Sequence, residues 1–384
     1  MGHLTASVHF MVTRASCYRI AVPYPLRDIE LAPRTTLGVG GCARFFWEVE
    51  SEGELCAAVR WAKREGVPLK VLGGGSNVVV ADAGFPGLVL KVGIKGIETT
   101  GSDPIRVRVG AGEPWHAFVL SRVAEHQQGL ECLAGIPGSV GATPIQNVGA
   151  YGQDVSESVV LVEAFDVERE RFRTFDESSL CFGYRDSFFK SHAPDCFVVT
   201  RVHFRLSPHA PPCVRYAELE REALRLREAT GREQLTLDEV CRLVLELRRK
   251  KSMSVDAKDE NQRSCGSFFM NPRIPETRLA RITSQLSNES VPHYPEANGM
   301  VKLPAAWLIE QSGLSKGTRR GPVGLSTQHS LAIVCHEGAN ASHVVGFAHE
   351  VQAAVFQRFG VTLEPEPVFW GFDAPNTGLP PLPA

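Results

Sequence analysis

The sequence predicts an α+β fold with more than one structural unit, and three observations support this prediction. Strand-like and helical patterns follow one another along the chain without an internal repeat. In the middle of the chain, β-branched runs bounded by glycine turns outnumber the helical patterns. The 384 residues, 43% of them hydrophobic, are enough to form two or three hydrophobic cores.

The predicted elements begin with a small α/β unit over residues 37–92. It contains the strand ARFFWEVES, the helix EGELCAAVRWAKREG and the segment PLKVLGGGSNVVV, a strand that enters a glycine turn. The runs GLVLKVG, RVRVGAG and CFVVTRVHFRL then predict strands, and WHAFVLSRVAEHQ between them predicts a helix.

The second half of the chain predicts more helix. DEVCRLVLELRRKK is an amphipathic pattern with a basic carboxyl end, which suits the helix dipole, and a polar loop follows it. Two glycine-terminated helices, AAWLIEQSG and SHVVGFAHEVQAAVFQRFG, are predicted on either side of the strand HSLAIVCHE.

Charge and cysteine usage exclude several classes of protein. The formal net charge is −2, from 41 basic and 43 acidic residues, so we expect no nucleic-acid partner. Ten scattered cysteines form neither a C-x-x-C pair nor a zinc pattern, which predicts reduced, mostly buried thiols and no metal site.

The chain ends carry no clear targeting signal. The apolar run at residues 10–12 is too short for a signal peptide or a membrane span, so we expect a cytoplasmic protein without membrane insertion. Residues 1–27 are expected to form a leader outside the fold, with a first strand as the alternative. The proline-rich residues 372–384 predict a tail.

Two glycine-rich segments are candidates for binding a ligand. VLGGGSNVVV (71–80) follows a strand, and its backbone N–H groups can line a phosphate-binding concavity, although taken alone the segment is more typical of a tight connection. LAGIPGSVGATPIQNVGAYGQ (133–153) is too broken for a long helix and too apolar for a solvent loop. Together they favour a large phosphate-bearing cofactor, with a buried irregular crossover as the alternative.

Three further stretches contain candidate polar groups. Arg185 in FGYRDSFFK can bind a carboxylate bidentately, and a structural pair with Asp186 is the alternative. Glu364 and Glu366 in LEPEPVFWG are held between prolines, which suggests that one of them is aimed at a ligand. Ser267 in SCGSFFMNP is a small hydroxyl residue between a glycine and two phenylalanines, and this stretch alone does not decide its role.

In this order, the segments resemble the UDP-N-acetylenolpyruvoylglucosamine reductase (MurB) family. The resemblance runs from about residue 36 to 371 through TTLGVGG, LGGGSN, GLECLAGIPGSVGATPIQNVGAYG, FGYRDSFFK, CGSFFMNP, VKLPAAWLIEQSGL and LEPE. It implies an FAD-binding domain of the vanillyl-alcohol-oxidase-like (PCMH-type) fold, divided into residues 28–92 and 93–252. A C-terminal substrate-binding α+β domain would then occupy residues 253–371.

The resemblance implies an NADPH-dependent, FAD-mediated reduction of UDP-N-acetylglucosamine enolpyruvate to UDP-N-acetylmuramate in peptidoglycan precursor biosynthesis, by an enzyme expected to be a monomer. Ser267 matches the family's proton donor, and Arg185 and Glu366 match the pair that stabilises the enolate. Because Glu366 would lie beside a substrate carboxylate, we predict that its pKa is raised.

The resemblance also implies the binding residues. It assigns the FAD site to Gly73, Gly74, Gly75, Ser76, Asn77, Gly135, Ile136, Pro137, Gly138, Ser139, Gly141, Ala142, Asn147, Gly149 and Ala150. It assigns the nucleotide and substrate contacts to Tyr184, Tyr216, Lys251, Asn271 and Gln311. Retention of the Tyr216 segment resembles the branch of the family with a long mobile loop over the substrate (type I-like).

Several residues depart from the family pattern. The stretch from Lys251 to Ser267 is longer than usual, so Lys250 is the alternative to Lys251. Met270 and Val368 replace residues that are basic in the family, which bears on substrate affinity more than on the reaction. Cys265 has no accompanying base motif, so we interpret it as a packing thiol.

Two other functions fit these residues less well. A flavin oxidase acting on a sugar or an alcohol would not need a group that binds the enolpyruvyl carboxylate. A non-catalytic nucleotide-binding protein of the same descent would have lost at least one of Arg185, Ser267 and Glu366, and all three are present.

Overall fold

A computed structural model of the protein describes residues 25–254, 258–286, 290–372 and 378–380. Most of the predicted leader and tail, together with Cys17, lies outside these described residues. In the described part, no helix is long and apolar enough to cross a membrane.

The described helices are α1 (Glu52–Arg64), α2 (Trp115–Ala124), α3 (Ala217–Thr230), α4 (Leu237–Lys250), α5 (Glu276–Gln285), α6 (Ala305–Gln311) and α7 (Ala341–Phe359). The strands of the first half are β1 (Leu26–Glu30), β2 (Cys42–Val49), β3 (Leu69–Leu72), β4 (Val78–Val80), β5 (Phe85–Val92), β6 (Ile97–Thr100), β7 (Ile105–Gly110), β8 (Gly149–Ala150), β9 (Gln153–Asp154), β10 (Val159–Asp166), β11 (Arg171–Asp176) and β12 (Phe197–Leu206). The remaining strands are β13 (Arg273–Pro275), β14 (Tyr294–Pro295), β15 (Met300–Lys302), β16 (Arg319–Arg320), β17 (Val323–Leu325), β18 (Ile333–Cys335) and β19 (Val368–Trp370).

The first sheet confirms the predicted α/β unit. Its strand order is β1-β2-β5-β3, in which β2, β5 and β3 are parallel and β1 is antiparallel. Helix α1 connects β2 to β3 and buries Leu55, Ala58, Val59 and Ala62. This i, i+3, i+4, i+7 spacing places the four side chains on one helix face. Ser51 caps the helix, because its hydroxyl accepts the Glu54 N–H at 3.3 Å.

The second sheet is antiparallel, with the order β11-β10-β12-β7-β6. Helix α2 packs against it through Trp115 and Phe118, whose rings lie 5.9 Å and 5.2 Å from that of Phe204. The indole N–H of Trp115 donates to the Leu133 carbonyl at 3.1 Å, so the buried ring has no unpaired polar atom. This contact anchors the second glycine-rich segment to the core.

Helices α3 and α4 form a separate layer. Thr236 and Glu239 make a capping box at the start of α4, and the helix ends in the basic turn that its sequence predicts. Helix α3 was not predicted. Among its residues only Leu219 and Ala223 are buried, so its apolar stripe is narrow.

The third region contains α5, α6, α7 and the sheets β13-β15-β14 and β16-β17-β18. It is joined to the segment at and just after β4 at two places. The Asp82 carboxylate accepts the backbone N–H groups of Ala341 and Ser342 at 2.7 and 3.0 Å and so caps α7. Strand β19 pairs in parallel with β4, with Val368 opposite Val78. This pairing fixes Glu366, two residues before β19, next to the first glycine-rich segment.

Candidate active site

A cavity of about 680 Å³ opens where the two glycine-rich segments meet the stretches around Ser267 and Glu366. The predicted site residues that line it are Gly73, Gly74, Gly75, Ser76, Asn77, Ile136, Pro137, Gly138, Ser139, Ala142, Gly149, Ala150, Arg185, Ser267 and Glu366. Segments far apart in the chain therefore share one concave surface.

One wall of the cavity is mainly backbone. A Cβ added to Gly74 would lie 2.4 Å from the Cα of Gly138, so the two glycine-rich segments approach each other too closely for a side chain. Lys91 donates from Nζ to the Gly73 carbonyl and holds the first segment against β5. This close approach explains why both segments are rich in glycine.

Arg248 adds a buried positive charge to the cavity. It comes from the last turn of α4, lines the cavity, and donates from Nη2 to the Met253 carbonyl at 2.5 Å. Its Nε is buried without a hydrogen-bond partner among the described residues, and burial lowers the pKa of Arg248. A guanidinium in the lining of a cavity fits an anion such as a phosphate. Backbone walls and this arginine suit a dinucleotide such as FAD.

The candidate catalytic residues Arg185, Ser267 and Glu366 come from three separate segments, and we call them the catalytic cluster. The Glu366 N–H donates to the Phe268 carbonyl at 2.9 Å, which places Glu366 beside the residue that follows Ser267. Arg185 Nε lies 3.7 Å from Glu366 Oε1. Asn77 donates from Nδ2 to the Glu366 carbonyl at 3.2 Å and so links the cluster to the first glycine-rich segment.

The Arg185 guanidinium is held by other groups on its opposite side. Nη1 donates to the Asn147 carbonyl at 3.2 Å and pairs with Asp154 Oδ1 at 3.3 Å, and Nη2 donates to the Gly149 carbonyl. Its backbone φ of 53° lies in the left-handed region, which is uncommon for a residue with a side chain. These contacts fix the guanidinium before any ligand binds.

The alternative pairing of Arg185 with Asp186 is wrong. Asp186 Oδ1 instead accepts the Ser187 N–H at 2.8 Å and the Ser191 hydroxyl at 2.5 Å. Arg185 and Asp186 are adjacent in an irregular hairpin, where neighbouring side chains point in different directions. Their adjacency in the sequence therefore did not identify the carboxylate that pairs with Arg185.

Of the two proline-bounded glutamates, Glu366 is the one directed into the protein. Its side chain is 14% exposed, whereas Glu364 is exposed. Burial raises the pKa of Glu366, and the positive charges of Arg185 and Lys190 oppose that effect. The predicted direction of the pKa shift is therefore confirmed.

The surroundings of Ser267 explain the glycine and the phenylalanines beside it. Gly266 has a φ of 74°, and a Cβ added there would meet nothing within 4 Å, so backbone conformation rather than space requires the glycine. Phe268 and Phe269 are fully buried in the third region's core. Burial raises the pKa of the Cys265 thiol, which suits a packing role.

Three residues assigned to the FAD site do not line the cavity. Asn147 is buried, donates to the Gly183 carbonyl at 2.9 Å and accepts the Ser156 N–H at 3.1 Å, so it supports the hairpin of Arg185. A Cβ added to Gly141 would lie 2.5 Å from that of Ala111, and one at Gly135 would lie 3.0 Å from Arg248 Nε. In each case the observed contacts are with protein.

Tyr216 and Lys251 meet outside the cavity. We call Tyr151, Tyr216, Glu218 and Lys251 the outer cluster. The two tyrosine rings are 5.5 Å apart and nearly perpendicular, and Lys251 Nζ lies 5.6 and 5.8 Å from their centroids. Lys251 also forms an ion pair with Glu218. Lys250 is exposed, so Lys251 is the lysine next to Tyr216.

Tyr184 belongs to another basic group that the sequence analysis did not identify. Arg273 and Lys302 lie 5.3 and 4.6 Å from the centroid of its ring. Both cations pair with Glu296, at 2.8 and 3.6 Å. The only signal in the sequence was that Lys302 belongs to the segment VKLPAAWLIEQSGL.

Asn271 and Gln311 lie at opposite ends of α6. Asn271 Oδ1 accepts the N–H of Ala305, the first residue of the helix, at 2.9 Å. Gln311 is exposed at the last residue, about 9 Å away along the helix axis. The side chain of Asn271 already has a structural partner.

The cysteines are less buried than predicted. Of the described ones, Cys132, Cys213, Cys241 and Cys335 are buried, Cys181 and Cys196 are exposed, and all are free thiols. No group of three His, Cys, Asp or Glu side chains in the described ranges could hold a metal ion.

Comparisons with known proteins agree with this arrangement. The family "FAD binding domain" matches residues 43–172, and the family "UDP-N-acetylenolpyruvoylglucosamine reductase, C-terminal domain" matches residues 258–370. The predicted fold class, an FAD-binding domain followed by a C-terminal α+β domain, is therefore confirmed.

Individual relatives match over almost their whole length. The UDP-N-acetylenolpyruvoylglucosamine reductase of Thermobifida fusca (strain YX) is 46% identical over 354 residues, which cover 90% of this chain and 98% of the relative. That of Salinispora arenicola (strain CNS-205) is 44% identical, with coverages of 90% and 95%. The crystal structure of the reductase (MurB) from Thermus caldophilus superposes with a TM-score of 0.61 at 27% identity, covering 90% of this chain and 98% of its own. The chain belongs to the UDP-N-acetylenolpyruvoylglucosamine reductase family.

Proposed function

We propose that this protein is the FAD-containing, NADPH-dependent reductase that converts UDP-N-acetylglucosamine enolpyruvate to UDP-N-acetylmuramate in peptidoglycan precursor biosynthesis. The observation that carries the proposal is the convergence of Arg185, Ser267 and Glu366 at a cavity walled by glycine-rich backbone. Relatives with this activity in their names match nearly the whole chain.

FAD would lie along the two glycine-rich segments. The residues that would hold it are Gly73, Gly74, Gly75, Ser76, Asn77, Gly135, Ile136, Pro137, Gly138, Ser139, Gly141, Ala142, Asn147, Gly149 and Ala150, with Arg248 as an addition. Arg248 would neutralise phosphate charge. Asn147 and Gly141 would contribute indirectly, by holding the second glycine-rich segment in the shape that forms the cavity wall. The chemistry supplied by the bound flavin is hydride transfer from NADPH to the enolpyruvyl double bond.

Ser267 acts as the proton donor. A hydride added to the enolpyruvyl double bond leaves negative charge on the carbon beside the substrate carboxylate. A serine hydroxyl is a weak acid, yet this carbon is more basic than an alkoxide, so a positioned hydroxyl can protonate it. The buried rings of Phe268 and Phe269 behind Ser267 reduce the access of competing water.

Arg185 and Glu366 stabilise the enolate that precedes protonation. The Arg185 guanidinium is fixed by Asp154 and by backbone carbonyls, so it meets the substrate carboxylate without first reorganising. Protonated Glu366 can donate a hydrogen bond to the same carboxylate, which its raised pKa favours. Lys190 donates from Nζ to the Arg185 carbonyl at 2.7 Å and supports this geometry.

The nucleotide and diphosphate portions of the substrates would contact Tyr184, Tyr216, Lys251, Asn271 and Gln311. Arg273 and Lys302 extend this set, because both cations flank Tyr184. Lysine and arginine suit phosphate oxygens by charge and by the number of N–H donors. We assign the chain to the long-loop branch, with the segment at Tyr216 over the substrate.

Three features of organisation complete the proposal. We place the domain boundaries at 28–92, 93–252 and 253–371. The two large sheets occupy the first two ranges apart from the start of β1, and β19 pairs with β4 across the first and third. We further infer that the enzyme acts as a monomer. Nucleotide-linked substrates support action in the cytoplasm.

The test begins with the absorbance spectrum of the purified protein. NADPH oxidation is then followed with and without UDP-N-acetylglucosamine enolpyruvate. We expect a flavin spectrum and oxidation that depends on the UDP-sugar. A colourless protein, or one that consumes oxygen with sugars or alcohols and ignores the UDP-sugar, would contradict the proposal.

A further inference from the structure

Two cysteines that the proposed reaction does not use lie together beneath the outer cluster. Cys132 is in the short turn Glu131–Leu133, and Cys213 lies in the segment that leads into α3. The Cys132 thiol donates to the Cys213 carbonyl at 3.2 Å. Cys132 is 0% exposed and Cys213 is 7% exposed. The Cys132 thiol therefore lies against Cys213, although 81 positions separate the two residues in the sequence.

A fixed positive charge faces one of these sulfur atoms. Arg215 Nε donates to Cys213 Sγ at 3.1 Å, and its Nη2 pairs with Glu157. The hydrogen bond from Cys132 and the contact with Arg215 lower the pKa of Cys213, against the effect of burial. The buried carboxylate of Glu131, which accepts the Cys213 N–H at 2.7 Å, also opposes ionisation. A lowered pKa and an adjacent second thiol are two features of a redox-sensitive cysteine with a resolving partner.

The sulfur pair is connected to the proposed substrate site through a short piece of backbone. Arg215 directly precedes Tyr216, the residue at the start of α3, and Tyr216 contacts Tyr151 and Lys251. Cys213 Sγ also lies 3.9 Å from the Gly152 carbonyl, next to Tyr151. A change at Cys213 therefore reaches both tyrosines of the outer cluster.

We propose that Cys132 and Cys213 are a modification site that hydroperoxides convert to a reversible disulfide, and that this bond weakens binding of the UDP-sugar at Tyr216. The second part rests on the proposed function, and the first does not. Oxidation removes the thiolate that Arg215 contacts, so residues 213–216 lose one of their anchors.

The chemistry balances in two steps. The Cys213 thiolate attacks one peroxide oxygen, so that an S–O bond forms, the O–O bond breaks and hydroxide leaves. The Cys132 sulfur then attacks the sulfenic acid, so that an S–S bond forms and the S–O bond breaks. The Cys132 proton leaves with that oxygen as water, and the hydroxide takes up a proton. Two thiols are oxidised by two electrons, and one hydroperoxide is reduced.

The test uses the FAD-loaded enzyme, with hydrogen peroxide as the probe. Samples are alkylated at intervals, digested and analysed by mass spectrometry for the peptides of Cys132, Cys213, Cys181 and Cys196. We expect the free thiols of Cys132 and Cys213 to disappear together and before those of the exposed Cys181 and Cys196. A cross-linked peptide should appear and should be lost on treatment with dithiothreitol. Oxidation that follows exposure, with Cys132 and Cys213 still free, would overturn the site.

Variants separate the two steps. In Cys132→Ser, Cys213 should stop at a sulfenic acid that dimedone traps, whereas Cys213→Ser should give no cross-link. Cys181→Ser is the matched control and should oxidise at the pair like the wild type. Oxidation of Cys213 without a cross-link in the wild-type chain would also overturn the proposal, and that measurement needs no variant.

The consequence for binding is tested on the same samples. Peroxide should raise KM for the UDP-sugar by about tenfold, the loss of roughly one charge-assisted contact, and dithiothreitol should restore it. Peroxide should leave KM unchanged in Cys213→Ser, which has no thiolate to oxidise, whereas the Cys181→Ser control should show the same rise as the wild type. An intact cross-link with an unchanged KM would overturn the link to Tyr216. A protein that proved not to be the reductase would still give a clear result in the peptide analysis.

Discussion

The catalytic cluster and the outer cluster are built by different means. Arg185, Ser267 and Glu366 are placed by main-chain contacts: Glu366 bonds the Phe268 carbonyl, and Arg185 bonds backbone carbonyls of the second glycine-rich segment. Tyr216 and Lys251 meet through side chains alone, and the lysine charge is already paired with Glu218.

This difference separates the two tasks of the proposed enzyme. A proton donor and an enolate-stabilising pair must be positioned before the reaction, which rigid backbone achieves. A substrate-covering segment must open and close, so paired side chains that exchange one anionic partner for another are suitable. Lys251 would leave Glu218 when it binds a phosphate. Replacements in the catalytic cluster should therefore change turnover, and those in the outer cluster should change affinity.

The largest effect is expected from Ser267→Ala. Loss of a positioned general acid lowers rates by about 10²- to 10⁴-fold, so kcat should fall by that amount. Steady-state NADPH oxidation with the UDP-sugar measures it. Ser284→Ala, on the exposed face of α5, is the control and should keep the wild-type rate. A normal kcat in Ser267→Ala would show that Ser267 is not the proton donor of the proposed reaction.

The next effect is expected from Glu366→Gln. Removing one preorganised group that stabilises developing charge costs about 10²- to 10³-fold in kcat. Because burial raises the pKa of Glu366, the active protonated form is lost as pH rises through that pKa, so the wild-type rate should fall on the alkaline side. The glutamine variant should lack this decline. A variant of near-normal rate with an unchanged pH profile would rule out the acid role.

Glu366→Gln, which should lower kcat, should raise the free energy of unfolding at high pH. A carboxyl group whose pKa is raised on folding favours the folded state below its unfolded pKa and loses that contribution as pH rises through the folded pKa. Glu366→Gln should therefore gain stability relative to the wild type as pH increases. Urea unfolding at pH 5 and pH 8 measures this, and a difference that shrinks with pH would contradict the burial of a costly charge.

A smaller effect, on affinity, is expected from Lys251→Met. Loss of one charge-assisted hydrogen bond to phosphate should raise KM for the UDP-sugar by about 10- to 100-fold and leave kcat nearly unchanged. Lys250→Met is the matched control, since Lys250 is exposed on the adjacent position and should have no effect. The reverse pattern would assign the contact to Lys250.

The smallest effect on activity is expected from Asp82→Ala, which removes the side-chain cap that joins the segment after β4 to α7. Loss of a helix cap costs about 0.5–2 kcal/mol, so the free energy of unfolding should fall while kcat changes little. Thermal unfolding with parallel assays measures both. A large fall in kcat without loss of stability would mean that the catalytic cluster depends on this anchor.

The sequence was sufficient to predict the helices that have wide apolar stripes and the site residues that lie in compact motifs. Helix α1 buries four side chains at helical spacing and was predicted, whereas α3 buries two and α5 buries only Ile282, and neither was predicted. The three residues of the catalytic cluster followed from motif resemblance, whereas their convergence depends on contacts between distant segments, such as that of Glu366 with Phe268.

Contacts between side chains that are far apart in the chain could not be predicted from the sequence. Arg248 looked like part of a solvated basic helix end, yet it lies on the buried face, four positions after Val244. Asp154 rather than the adjacent Asp186 pairs with Arg185. Such pairs are decided by tertiary packing, on which local spacing carries no information.

The central claim is that Ser267 supplies the proton and takes no part in reduction of the flavin. Stopped-flow absorbance of the wild type and Ser267→Ala, first with NADPH alone and then with UDP-N-acetylglucosamine enolpyruvate added to the reduced enzyme, tests it most directly. The account predicts equal rates of flavin bleaching by NADPH in both proteins and a return of flavin colour that is slower by at least about 100-fold in the variant. Equal rates in both halves, or a loss confined to the first, would contradict it.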